Sequence, residues 1–285
     1  MREIELSSGT IDYQDTGGAG PVLVFCHGLP MNGAQWRKVV PLLSGYRCIL
    51  PTLPLGGHRR PMHPDADLSH RGVARLLGEF IERLHLDEVT LVLNDWGGGQ
   101  FLLLEEQGQR VARMVLVACE AFDNFPPGPA KAMALVCRLP GGVRFLTQLM
   151  RIPAFRNHRN GYGGMSLRGL PDELIADWFA PATRSRAIRR DFAAFATSAP
   201  GRKTLLAWSE QLAAFDRPVL VVWAAQDRLM PREHGPRLAQ LYPKGRLVEI
   251  AESSTLVPED QPEQLAAAIT DFLTETGAQP VRQTG

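Results

Sequence analysis

Apolar residues along the chain follow two alternating patterns. Short unbroken runs occur at 21–26 (PVLVFC), 46–50 (YRCIL), 89–93 (VTLVL) and 112–119 (ARMVLVAC), each bounded by Gly, Pro or polar residues. Runs of this kind predict strands buried on both faces of a parallel sheet, because neither face has to meet water. Between them the spacing becomes helical. Val73, Leu76, Leu77, Phe80, Ile81 and Leu84 follow at intervals of 3, 1, 3, 1 and 3, one face of a 3.6-residue repeat, with Asp67 or Ser69 as the expected N-cap. The alternation resumes after Asp216 with RPVLVVWAAQD, a helical stretch around 233–241, and GRLVEIAES. A last helix is expected from Gln261, with Asp260 as N-cap, Pro262 near its first position, and Leu265, Ala268, Ile269, Phe272 and Leu273 on one face.

Between 121 and 215 no strand-like run occurs, only helical stretches separated by FPPGP, LPGG and NGYGGMSLRGLPDE. The pattern predicts an α/β core formed by 1–120 and 216–274, interrupted by a helical cap over 121–215. The segment 275–285 has no apolar pattern and is expected to be disordered.

Composition narrows the function. The 285 residues are 45% hydrophobic and 21% charged, enough apolar material for a sizeable core. A formal charge of +1 gives no global field to recruit nucleic acid or an anionic membrane, so a small molecule is the expected partner. No apolar run approaches the roughly 20 residues that span a bilayer. Charges at Arg2, Glu3 and Glu5, with no apolar leader, make a cytoplasmic location the expectation. The four cysteines form no CxxC pair and read as buried small hydrophobes; no phosphate-binding loop or metal-ligand spacing occurs, so neither cofactor nor metal is expected. Nothing in the pattern bears on oligomeric state.

Two strand ends open into loops that carry chemistry, CHGLPMNGAQW and, about 70 residues later, LNDWGG. With these motifs the chain resembles the α/β-hydrolase superfamily and, within it, the haloalkane dehalogenases and soluble epoxide hydrolases, from the first strands to about Leu273. The resemblance implies an eight-stranded, mostly parallel sheet with an inserted helical cap. It also implies that Asp95 is the nucleophile on a strand-to-helix elbow, although Leu93 stands where the motif has Gly. By itself Asp95 could equally be a helix N-cap. A carboxylate with a reference pKa of about 3.9 is already ionised at neutral pH and can attack carbon bearing a halide or an epoxide oxygen, giving an alkyl ester. Serine-esterase, lipase or peptidase chemistry is therefore not expected.

The resemblance further implies that the backbone N–H groups of Leu29 and Trp96, and the Trp96 indole N–H, serve the leaving group or oxyanion. Trp96 could instead simply pack under the cap, and Leu29 replaces an Asn that many dehalogenases carry. Asp227 and Glu120 both end strands and are the alternative charge partners of a base, with Asp227 slightly preferred. Trp178 or Phe179, with aliphatic residues around Leu135, Val136 and Leu146, would line a pocket or form cap core. Tyr162, the only cap tyrosine, lies in a Gly-rich loop and reads as a mobile surface residue rather than a proton donor.

In this family the catalytic histidine follows the last strand, before an apolar pair and Pro-Glu. Here SSTLVPEDQPEQL places Thr255 at that position, and no histidine follows His234. Ester formation needs no base, but hydrolysis of the ester gains about 10²- to 10⁴-fold from one. Three readings stay open. Another group activates the water, with His58 in LPLGGHRRPM best placed and His27 the alternative; His63, His70, His85, His158 and His234 read as loop or exposed helix positions. Alternatively, the site does non-hydrolytic lyase, isomerase or cyclase chemistry with Asp95 as acid or base. Or the chain is a catalytically silent binding protein. The first predicts a haloalkane dehalogenase-like or epoxide hydrolase-like enzyme acting on a small apolar organic substrate.

Overall fold

Continuous apolar runs become central strands in the computed structural model, which describes residues 1–159 and 161–281. The strands are β1 (Arg2–Leu6), β2 (Gly9–Asp15), β3 (Val22–Cys26), β4 (Arg47–Pro51), β5 (Val89–Asp95), β6 (Val111–Cys119), β7 (Val219–Ala224) and β8 (Gly245–Ile250). They form one eight-stranded sheet in the order β1-β2-β4-β3-β5-β6-β7-β8. The β1–β2 and β2–β4 pairs are antiparallel and the other pairs parallel. All six residues of β7 are buried. The pleat divides them: Val219, Val221 and Trp223 join the core on one face, Leu220, Val222 and Ala224 the core on the other.

Helix α1 (His70–Arg83) covers the first face, and its N-cap is Ser69, whose side chain accepts from the Gly72 N–H. The cap lies between β6 and β7. Its helices are α2 (Gly128–Cys137), α3 (Gly142–Leu149), α4 (Pro153–Arg156), α5 (Tyr162–Met165), α6 (Asp172–Arg184) and α7 (Arg186–Ala196); the next helix, α8 (Arg202–Leu212), instead packs Leu205 and Leu212 into the same core cluster as α1 and the sheet. After β7 come α9 (His234–Leu241), then β8, a single turn α10 (Val257–Asp260), and α11 (Pro262–Glu275), which covers the second face. Among the described residues no helix is long and apolar enough to cross a membrane.

Two local expectations change. Asp260 does not cap α11; its fully buried carboxylate accepts from Ser254 N–H, Leu167 N–H, Arg168 N–H and the Ser166 hydroxyl, tying the cap to the core. The cap-to-core tie wins because a fully buried carboxylate needs donors, and four converge on it here. The tail expected to be disordered from 275 is packed as far as 281: Ala278 is buried and Val281 N–H donates to Gly45 O at 3.0 Å. The rest of that segment, 282–285, lies outside the described residues.

Candidate active site

β5 ends at Asp95 with φ 65°, a left-handed conformation that Asp tolerates better than bulkier residues and that marks a sharp elbow rather than a helix N-cap. A helical turn, Gly97–Leu104, follows directly. Leu93, two residues before the elbow, is accommodated by Gly99, where a Cβ would lie 2.6 Å from Leu93 Cδ2. The Asp95 carboxylate points back at the loop after β3. Leu29 N–H donates to its Oδ2 at 3.2 Å, and Gly28 must be glycine, since a Cβ there would lie 2.0 Å from the same oxygen.

A buried polar ladder fixes this loop. Gln35 accepts from Gly28 N–H at 2.9 Å and donates to Asn94, whose amide donates to Val117 O at 2.8 Å and to Thr255 O at 2.7 Å. Three segments distant in sequence are thereby held around the elbow. Tyr162 adds a fourth. Rather than a mobile surface residue, it is buried, and its hydroxyl donates to Leu29 O at 2.8 Å, so the Leu29 peptide is held from both ends.

A small cavity of ≈ 30 Å³ lies above Asp95. The core contributes Leu29, His70, Asp95, Trp96 and Glu120 to its walls, and the cap contributes Met133, Ala134, Phe195 and Ala196, among others. Burial pushes the Asp95 carboxyl up to about 7, opposed by the Leu29 N–H and reinforced by the charge of Asp227. Burial, and then the Asp95 charge, holds the Glu120 carboxyl well above the usual carboxylate range, with Gly97 N–H opposing. Two carboxyl groups thus face one apolar cavity.

His70, which reads from sequence as a loop or exposed helix position, is a buried member of this wall. It packs against Phe195 and Phe125, with ring centroids 4.7 and 5.3 Å away. The Trp96 indole N–H donates to His70 Nδ1 at 3.1 Å, so the indole donor expected at the leaving group is already engaged. Burial lowers the His70 pKa to about 4; the ring is neutral, and with Nδ1 accepting it carries its proton on Nε2. The signal was present in the spacing, because His70 precedes Val73, Ala74 and Leu77 by 3, 4 and 7 residues, on the inward face of α1.

The other acid lies apart. Asp227 Oδ1 accepts from Leu229 N–H at 2.8 Å, Met230 N–H at 3.0 Å and the Thr255 hydroxyl at 2.8 Å, while Oδ2 is buried without a partner. Burial raises its pKa and those three bonds oppose the rise. Asp227 and the fully buried Thr255 do not line the cavity.

Several expected site residues are placed elsewhere. His58 accepts from Gly56 N–H at 3.2 Å through Nδ1, and its Nε2 lies 3.2 Å from the Asp191 carboxylate of α7; it pins a core loop to the cap and does not line the cavity. His27 is likewise engaged through both nitrogens, with Gly28 O and Leu53 N–H at 2.9 Å each. Trp178 and Phe179 pack with Met31, Tyr162, Met165 and Ile175 as cap core. Leu135 faces outward, 61% exposed, and Leu146 is buried in a second cap cluster. His234 is also buried, edge-on to Phe122.

Residues 21–262 match the family described as the alpha/beta hydrolase fold. Haloalkane dehalogenase 2 of Mycobacterium tuberculosis is 28% identical over 287 residues, covering 95% of this chain and 93% of that protein. The cis-3-alkyl-4-alkyloxetan-2-one decarboxylase of Xanthomonas campestris is 28% identical over 286 residues, covering 92% of each. The crystal structure of an ancestral haloalkane dehalogenase superposes with a TM-score of 0.78 over 98% of this chain and all of that one, at 24% identity, a likeness of fold. By the extent of the family match the chain belongs to the alpha/beta hydrolase fold family, and within it is similar to a protein named a haloalkane dehalogenase.

Proposed function

We propose that this protein is a hydrolase in which Asp95 attacks an electrophilic carbon of a small haloalkane or epoxide and forms an alkyl ester. The observation that carries the reading is the Asp95 carboxylate itself, partly exposed at a left-handed elbow on the floor of a cavity whose cap walls are apolar. Similarity to proteins named haloalkane dehalogenases supports the substrate class.

A carboxylate oxygen of Asp95 forms the C–O bond as the carbon–halogen bond breaks and halide leaves with the bonding pair. An epoxide instead opens to an alkoxide, which takes its proton from the Glu120 carboxyl. The neutral His70 presents its Nε2–H to the leaving group in place of the engaged indole. For hydrolysis, water attacks the ester carbonyl carbon, and Leu29 N–H faces the developing oxyanion. The proton given up by that water needs an acceptor. Thr255, at the position of the family's histidine, has a hydroxyl that is not a base at neutral pH and is already donating to Asp227. Glu120 is the other carboxyl at the cavity; it can accept that proton only once it has lost its own, as it does to the epoxide alkoxide, so it is a weak substitute and the ester persists.

The test is intact-mass spectrometry after incubation with a short panel of haloalkanes and epoxides. An adduct of the alkyl mass, mapped to Asp95, is expected. Neither adduct nor turnover across the panel would remove the alkylation reading.

A second reading rests on the two raised carboxyls, which suit Asp95 to proton transfer in a non-hydrolytic reaction. The similarity to a protein named an oxetanone decarboxylase speaks for it. Carbon dioxide release from a β-lactone, with no adduct from the halide panel, would select it.

A further inference from the structure

The net charge of +1 hides an uneven distribution. Residues 124–171, the first half of the cap, contain seven Lys and Arg and no Asp or Glu. Arg156 is paired with Asp172 of α6. Lys131, Arg138, Arg144, Arg151 and Arg159 make no ion pair among the described residues and are exposed.

The same segment exposes large apolar side chains: Leu135 at 61%, Leu139 at 59%, Phe145 at 56%, Ile152 at 50% and Phe155 at 41%. They are not scattered. On α2 and its C-terminal turn, Lys131, Leu135, Arg138 and Leu139 are spaced 4, 3 and 1 along one outward face. From α3 through the turn into α4, Arg144, Phe145, Gln148, Arg151, Ile152 and Phe155 are all exposed. The inward residues between them, Val143, Leu146 and Thr147, are buried. An outward stripe of large apolar residues interleaved with arginine suits neither plain solvent nor the interior. Beside it an open surface groove is lined by Leu139, Arg144, Arg186, Arg189 and others.

From this geometry we infer that the outer face of α2–α4 docks on an anionic phospholipid bilayer. Leu135, Leu139, Phe145, Ile152 and Phe155 enter the headgroup–acyl boundary, and the unpaired cations meet lipid phosphates. Charge selects this occupant over a second copy of the chain, since a two-fold contact would set the cationic face against itself. The large apolar side chains select it over nucleic acid. Position gives the docking a consequence: α2 presents Ala130, Met133 and Ala134 to the Asp95 cavity and Leu135 to the outside. One helix thus separates the bilayer from the cavity, and an apolar substrate dissolved in lipid has a short path to it. The docking surface stands independently of the chemistry at Asp95.

Co-sedimentation of the full chain with phospholipid vesicles tests it. Binding to vesicles containing phosphatidylglycerol is expected, with little to pure phosphatidylcholine, and rising salt should weaken it. Arg144→Glu with Arg151→Glu should reduce binding about tenfold or more. Phe145→Ser with Ile152→Ser should do the same while the thermal melt, followed in parallel, is retained; the charge pair and the lipid comparison decide the matter if that variant fails to fold. No binding to the anionic vesicles, or binding that both pairs leave intact, overturns the inference. A dimer that the apolar pair dissociates, in place of vesicle binding, assigns the face to a second copy instead.

Discussion

Asp95 and Asp227 end neighbouring regions of one sheet edge and are treated in opposite ways. Asp95 has one hydrogen-bond donor, Leu29 N–H, a left-handed backbone and an open cavity before it. Asp227 has three donors on one oxygen, one of them the Thr255 hydroxyl, and is not among the residues lining that cavity. A carboxylate given one donor and a cavity before it keeps a free lone pair for attack; one with three donors is held as an acceptor. In the proposed chemistry the first half-reaction is therefore fully equipped. The second lacks the link, an imidazole, that would carry a proton between the two acids.

The largest break in this comparison is Asp95→Asn. The amide cannot attack carbon, so labelling and turnover should fall by about 10⁴-fold, read by intact mass. Next, Thr255→His restores an imidazole beside Asp227 and should speed decay of the Asp95 ester by about 10²- to 10⁴-fold; an adduct that persists unchanged would show that the base is not what limits release. Glu120→Gln should then slow residual ester release about 10- to 100-fold, with Asp227→Asn having little effect. In the Thr255→His background the order should reverse, because Asp227 then has a base to orient.

Smaller effects come from protonation. With Asp95 raised to about 7, the labelling rate should climb about tenfold per pH unit below 7 and level off above it. A rate independent of pH between 5 and 8 would mean the nucleophile is ionised throughout. Stability should run the other way. A carboxyl whose folded pKa lies above its unfolded value contributes stability that is present below about 4 and is lost as pH rises through about 7. Asp95→Asn should remove that loss and stabilise the fold at pH 8 by about 1–2 kcal/mol, discounted for the partial exposure of the group, and should do little at pH 4. Denaturant melts at the two pH values give the difference.

The sheet was legible because strands buried on both faces need continuous apolar runs, and β3, β5, β6 and β7 supply them. The elbow was legible because Asp, Trp and glycines after such a run leave few conformations. His70 reads from sequence as an exposed position because an imidazole is polar, although its place in the α1 repeat puts it on the inward face. Trp178 and Phe179 were indistinguishable from pocket residues, because a helical apolar stripe does not say which neighbour it meets. Net charge likewise averaged a cationic cap surface against the remainder of the chain.

By itself the sequence determined what depends on near neighbours: strand and helix periods, the turn at Asp95, and the threonine before VPED. Tertiary structure alone decided which distant groups meet. Trp96 reaches His70 across 26 positions, Tyr162 reaches Leu29 across 133, and Asn94 reaches the Thr255 carbonyl across 161. It also chose Glu120 over Asp227 for the cavity wall. The reason is physical: periodicity encodes the face a residue presents, whereas its partner is set by the packing of the cap and the closure of long loops, where shape and unsatisfied donors decide among faces of equal polarity.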